Sequence, residues 1–201
     1  MSNLRFHFVV AVFAIAGSLA ALVAHAESPP RVRLVTELGD IVVEVYPEKA
    51  PETVANFLSY VDEDRFEGAT FYRTVTPTNQ PDNDVKIEVI QGGLSMEDDH
   101  PARLPPIRHE TTEETGIPHE DGVISMARNE PGTASSEFFL TVGPQPELDY
   151  GGERNPDGQG FAAFGRVVQG MDVVREIHRR PETGQMLDEP VRILRVERVG
   201  S

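Results

Sequence analysis

The sequence predicts a mainly β domain, a sandwich or a barrel, with two short helices closing its open ends. Three observations lead there. About eight short segments alternate apolar and polar side chains, the period of a strand with one buried face. Gly and Pro number 17 and 16, about one residue in six against an average nearer ~12%, so turns are frequent and long helices rare. Only two stretches carry apolar residues at helical spacing.

Taken in order, Arg31–Glu37 and Ile41–Val45 read as a hairpin with Gly39 in its turn. Pro47–Pro51 breaks it, and Pro51 suits the first turn of a helix, where its missing N–H costs nothing. Glu52 lies at the positive end of that helix's dipole. Val54, Phe57, Leu58 and Val61 then share one face down to Asp62. Thr70–Val75 reads as a strand, 76–84 as a loop, and Val85–Gln91 as a strand with Val85, Ile87, Val89 and Gln91 on one face. Gly92-Gly93 ends it. The stretch from Leu94 to Asp121 reads as mostly loop, and 97–121 within it as a solvated acidic surface. Gly122–Ala127, Glu137–Val142 and Phe161–Val168 are further strands; Gly170–Ile177 is the second helix, and Val191–Val199 a closing strand.

Composition sets limits on function. Apolar residues make up 39% of the 201-residue chain, too many for a disordered one. Eighteen basic against 33 acidic residues give a net charge of −15, which argues against nucleic-acid binding. The absence of Cys excludes disulfides, thiolate metal sites and thiol catalysis. Residues 1–26 follow the plan of a secretory signal: Arg5 near the start, an apolar run from Phe8 to Ala24, then Ala24-His25-Ala26 as a small-x-small cleavage site. That run, interrupted by Gly17 and Ser18, falls short of the ~20 residues a spanning helix needs. The expectation is a cleaved signal, 1–26, followed by a single domain, 27–201: a monomer, periplasmic or secreted, with no membrane contact after cleavage.

Several motifs fail. There is no phosphate-binding P-loop, G-x-G-x-x-G, G-x-S-x-G or H-E-x-x-H. His100, His109 and His119 match no standard metal spacing. Glu153-x-Asn155-x-Asp157-Gly158 starts like a calcium loop, but the twelfth position is Phe164. No metal or other cofactor is implied.

Four segments remain: Phe71-Tyr72-Arg73 with Ile90-Gln91-Gly92-Gly93; Ser125-Met-Ala-Arg128; Ser135-Ser-Glu-Phe-Phe139; and Phe164-Gly-Arg-Val-Val-x-Gly-Met171. In this order they resemble the cyclophilin family of peptidyl-prolyl isomerases, most closely its exported bacterial type, over Val32–Val199. The resemblance implies a closed eight-stranded antiparallel barrel capped by two helices. It implies unfolded or partly folded proline-containing polypeptides as substrates and Arg73 and Gln91 as catalytic residues. Phe139 matches the floor of the proline pocket, Leu148 a wall, and Val89 a family Met. Ala127 and Arg128 match the peptide-backbone site, Arg128 through its main chain; Glu137 and Phe161 complete the expected set.

Departures from the family pattern carry expectations of their own. Tyr72 replaces a His and Glu137 a Gln; Glu88 occupies the place of a pocket Phe, which Ile87 would have to fill; Glu147 stands where others carry an aromatic. The connection from Thr74 to Ile90 is longer than usual. Extra carboxylates beside the pocket predict weak activity on apolar peptides and relatively better activity on cationic ones. Two rival readings follow: a proline-peptide-binding or chaperone-like module with weak or lost activity, and an unrelated ligand-carrying barrel, which would need an open apolar lumen.

Overall fold

The structure is a computed structural model and describes residues 28–95 and 100–200. The expected signal, 1–26, lies outside the described residues. The elements are β1 (Arg31–Thr36), β2 (Gly39–Val45), α1 (Pro51–Asp62), β3 (Thr70–Val75), β4 (Val89–Gly93), the one-turn α2 (Thr112–Thr115), β5 (Val123–Met126), β6 (Phe138–Thr141), a 3₁₀ turn (Pro146–Leu148), β7 (Ala162–Gln169), α3 (Met171–His178), β8 (Glu182–Thr183) and β9 (Met186–Val199). The strands run β1-β2-β7-β5-β6-β4-β3-β9, and β1 pairs β9 to close the ring. This is a closed eight-stranded antiparallel barrel; β8 adds a short hairpin arm to β9.

Inward side chains fill the barrel. Phe71, Phe138 and Phe164 come from three strands; Phe138 and Phe164 meet Phe57 of α1, with ring centroids 5.9 and 5.2 Å apart, and Phe71 meets Phe138 at 5.8 Å. A packed lumen leaves no ligand chamber, which removes the carrier-barrel reading. The face of α1 is turned slightly from the one expected: Tyr60 is fully buried and Leu58 only partly. Tyr60 is fixed there because its hydroxyl accepts from the Leu104 N–H at 2.6 Å and pairs with Ser135 at 2.8 Å.

Three departures from the sequence reading have local causes. Residues 85–88 are not strand. The Gln80 amide donates to the Ile87 carbonyl (2.8 Å) and accepts from the Ile87 N–H (3.3 Å), taking the backbone groups a ladder would use. The closing strand begins at Met186, not Val191. Gly184 (φ 59°) and Gln185 (φ 75°) form a tight turn that folds β8 back on it. The segment from 100 to 121 is not simply solvated. Glu110 is 2% exposed and accepts from the Glu52 and Thr53 N–H groups at the start of α1, supplying the cap that Ala50 cannot.

Candidate active site

Register across the barrel wall assembles the site. Arg73 of β3 stands opposite Gln91 of β4, Gln91 opposite Phe139 of β6, and Phe139 opposite Ser125 of β5. Strand alternation divides the neighbours. Ile90 and Phe138 enter the barrel core; Val89 and Phe139 join a second apolar cluster outside it. In β3 the register shifts between Phe71 and Arg73, so Tyr72 is an extra residue without a ladder partner. The bulge puts Tyr72 and Arg73 within reach of the same glutamine.

All nine candidate residues border one cleft of about 270 Å³: Arg73, Val89, Gln91, Ala127, Arg128, Glu137, Phe139, Leu148 and Phe161. Its apolar part is the outer cluster of Val75, Ile87, Val89, Phe139 and Leu148, with Ala127 and Phe161 partly buried beside it. Phe161 meets Phe139 edge to face, centroids 5.3 Å apart at 89°. Behind Phe139 lies His119, nearly parallel at 5.8 Å. Its ring is held by Asp149 (2.7 Å) and Ser125 (2.9 Å). Ser, His and Asp in line suggest a hydrolase triad, but Ser125 is wholly buried and His119 is 1% exposed. No acyl group could reach them; they back the pocket floor. Gly160 (φ 60°) closes the wall, where a Cβ would lie 2.5 Å from the Leu148 carbonyl oxygen.

The polar part is a directed chain of hydrogen bonds. Arg73 donates through Nη1 to Gln91 Oε1 at 2.8 Å. The Gln91 amide donates to the Tyr72 hydroxyl at 2.8 Å, and that hydroxyl donates to Glu137 at 2.6 Å. The other carboxylate oxygen of Glu137 accepts from the Leu94 and Ser95 N–H groups and from the Ser136 hydroxyl. Arg103 faces it at 3.6 Å. Burial pushes the Glu137 carboxyl above its ordinary pKa, opposed by these donors. Burial and then the Glu137 charge push the Tyr72 phenol well up. On its far side Arg73 donates through Nε and Nη2 to Gln185 Oε1, at 3.1 and 2.5 Å.

A family model described as cyclophilin type peptidyl-prolyl cis-trans isomerase/CLD matches residues 31–198. The chain belongs to this family. Among curated cyclophilin relatives, peptidyl-prolyl cis-trans isomerase cyp18 of Streptomyces antibioticus is 35% identical over 147 residues, 73% of this chain and 81% of that protein. A peptidyl-prolyl cis-trans isomerase of Acinetobacter baylyi is 31% identical over 180 residues, covering 87% and 88%. Peptidyl-prolyl cis-trans isomerase B of Escherichia coli is 35% identical over 143 residues, covering 71% and 80%. The fold matches a crystal structure of a Cryptosporidium parvum cyclophilin type isomerase with a TM-score of 0.67 at 18% identity, over 86% of this chain and 99% of that one.

The departures from the cyclophilin pattern look different in three dimensions. The unusual Tyr72 and Glu137 touch, so they form one paired change rather than two. Glu147 does not border the cleft; it accepts from the Glu153 N–H at 2.9 Å. Glu88 also lies off the cleft, its carboxylate 3.9 Å from His178. Ile87 joins the outer apolar cluster and borders the cleft. Only one of the three expected carboxylates therefore reaches the site. Arg128 spends its guanidinium on Asp157 (2.8 Å) and the Gly160 carbonyl (2.8 Å), over the face of Phe161. Sequence reasoning missed Gln185, Arg154 and His119. The Gly184-Gln185 turn was a legible hairpin signal; no local signal marked the other two.

Proposed function

We propose that this cyclophilin catalyses cis–trans isomerisation of X–Pro peptide bonds in unfolded or partly folded polypeptides, with Arg73 stabilising the half-turned amide. The single observation that carries it is the row Arg73–Gln91–Phe139, which sets a braced guanidinium beside an apolar slot.

The physics follows from the amide. Rotation about X–Pro crosses about 20 kcal/mol because it breaks resonance. In the twisted state the proline nitrogen becomes pyramidal and can accept a hydrogen bond, which it cannot when flat. A donor fixed at that nitrogen binds the twisted state more strongly than the planar one, the condition for catalysis. Arg73 remains charged despite a pKa lowered by burial, and it offers several donors at once. Gln91 and Gln185 hold it from two sides, so little reorientation is needed during the turn. Phe139, Phe161 and Leu148 offer the proline ring an apolar seat. No nucleophile and no proton transfer enter.

Against the reading as a binding module with vestigial activity, Glu88 and Glu147 lie off the cleft, and Ile87 contributes apolar surface to it. Residues 1–26 support an exported enzyme acting on exported clients, in the periplasm or outside the cell. The isomerase test is an NMR-exchange assay on the wild type beside Arg73→Ala. Loss of one preorganised donor predicts a fall of roughly 10²–10³ in rate; turnover unchanged by the truncation would refute the mechanism.

A further inference from the structure

We propose that the cleft holds a carboxylate subsite between Arg73 and Arg154, so that this enzyme prefers substrates with Asp or Glu next to the proline. The proposal rests on the isomerase reading above and names its substrate class.

Four arginines border the cleft: Arg73, Arg103, Arg128 and Arg154. Two have carboxylate partners there. Arg128 pairs with Asp157 and Arg103 faces Glu137. The other two have only neutral ones among the described residues. Arg73 donates to the amides of Gln91 and Gln185. Arg154 donates through Nη1 alone, to Gln80 Oε1 at 2.7 Å and the Val85 carbonyl at 2.6 Å. Its Nε and Nη2 make no bond within the described residues, which leaves a free edge of the guanidinium.

These two cations feel each other. Burial lowers the pKa of Arg154, and the charge on Arg73 lowers it further. Like charges sharing a partly dry cleft without a counterion raise its energy, and an anion there relieves it. A carboxylate fits the planar fork of Arg with two parallel hydrogen bonds. Among the described residues the cleft has no carboxylate to spare, because Glu137, the one acidic side chain lining it, is occupied by Tyr72, Ser136, two backbone N–H groups and Arg103. The expectation drawn from extra carboxylates beside the pocket, a preference for cationic peptides, is thereby reversed. The net charge of −15 acts from greater distance, where salt at about 0.15 M screens it beyond roughly 8 Å.

Nor is Arg154 fully explained as a staple. Its two bonds do pin the 76–88 loop, yet both come from one nitrogen and leave the rest of the group unused.

The experiment measures exchange by NMR on acetyl-Ala-X-Pro-Phe-amide and acetyl-Ala-Ala-Pro-Y-amide, with Glu, Gln or Lys at X or Y, and measures binding of the same peptides by chemical-shift titration. At one of the two positions Glu should exceed its isostere Gln in kcat/KM on the order of tenfold, with Lys lowest. The ratio should shrink towards one in 1 M salt. The readout for the variants is the Glu/Gln ratio, not the rate. Arg154→Gln should bring it close to one, and Arg154→Lys should restore part of it, which a mere loop staple would not do. Equal Glu and Gln values at both positions, in turnover and in binding, would overturn the subsite; so would a ratio that survives Arg154→Gln. Tighter binding of the Glu peptide without turnover of any peptide would keep the subsite and sink the isomerase reading instead.

Discussion

Tyr72 donates its phenolic proton to Glu137 at 2.6 Å, and that bond sets the direction of the chain ending on Arg73. With its proton committed to an anion, the Tyr72 oxygen can only accept from Gln91. The Gln91 amide is thereby oriented with its oxygen towards the guanidinium. The bulge at Tyr72 and the φ of 146° at Gly93 make room for this: a Cβ on Gly93 would lie 2.5 Å from a Glu137 oxygen.

Tyr72→Phe should therefore act on both stability and rate. It leaves the Gln91 amide without its acceptor and one Glu137 oxygen without its Tyr72 donor, a cost of about 1–3 kcal/mol for buried polar groups. With Gln91 free to turn over, kcat should fall roughly tenfold, equivalent to ~1.4 kcal/mol of barrier, while KM changes little. Urea denaturation and single-peptide kinetics check both; wild-type values in each would show the chain to be idle.

Activity should be nearly flat on the basic side of neutrality, up to about pH 9, since Arg73 does not titrate there and the Tyr72 phenol is pushed up. The plateau should end on the acid side, where Glu137 takes its proton above the ordinary carboxylate range and Tyr72 loses its anionic acceptor.

The same shift gives a signed prediction for stability. The folded state holds the Glu137 proton more tightly than the unfolded chain, so between the two pKa values this group's contribution grows as pH falls and is lost as pH rises through the folded value. The difference in unfolding free energy between wild type and Glu137→Gln should carry that slope. A difference that is flat, or that slopes the other way, would contradict the buried-carboxylate account.

Gln185 should prove a positioning residue for Arg73. It occupies a left-handed backbone position (φ 75°) that most residues avoid, and its amide is further tied to the Asn79 carbonyl at 2.9 Å. Gln185→Gly keeps the turn and removes only the side chain, so stability should stay within about 1 kcal/mol. A roughly tenfold fall in kcat, with KM little changed, is expected. A variant that loses neither would mean that Gln91 alone suffices.

Phe139→Leu tests the slot. Substitution by Ala at so buried an aromatic costs about 3–5 kcal/mol and confounds folding with function, whereas Leu retains most of the apolar volume. The expected result is a raised KM with kcat nearly preserved, because the ring seats proline in the planar and twisted states alike. An unchanged KM would place the proline elsewhere.

Periodicity and turn chemistry alone carried the sequence to all eight strands of the barrel, though not to all their ends, and to α1 and α3, because each is encoded by neighbours two to four residues apart. The strand expected from Val85 starts only at Val89, for a reason no periodicity shows: the Gln80 side chain occupies the Ile87 backbone. In the same way His119 and Glu110, read as surface residues, are buried by partners far along the chain.

The candidate residues were legible through ordered motifs, and the barrel brings all nine to one cleft. What the sequence by itself determined was the kind of fold, which follows from residue type and local spacing, and, through its resemblance to cyclophilins, which side chains were candidates for the chemistry. The tertiary structure alone decided which charges matter. It turned Glu88 and Glu147 away, joined Tyr72 to Glu137, and left Arg73 and Arg154 without counterions among the described residues. Charge interactions depend on distance and burial between residues remote in the chain, and neither is written in the order of the amino acids.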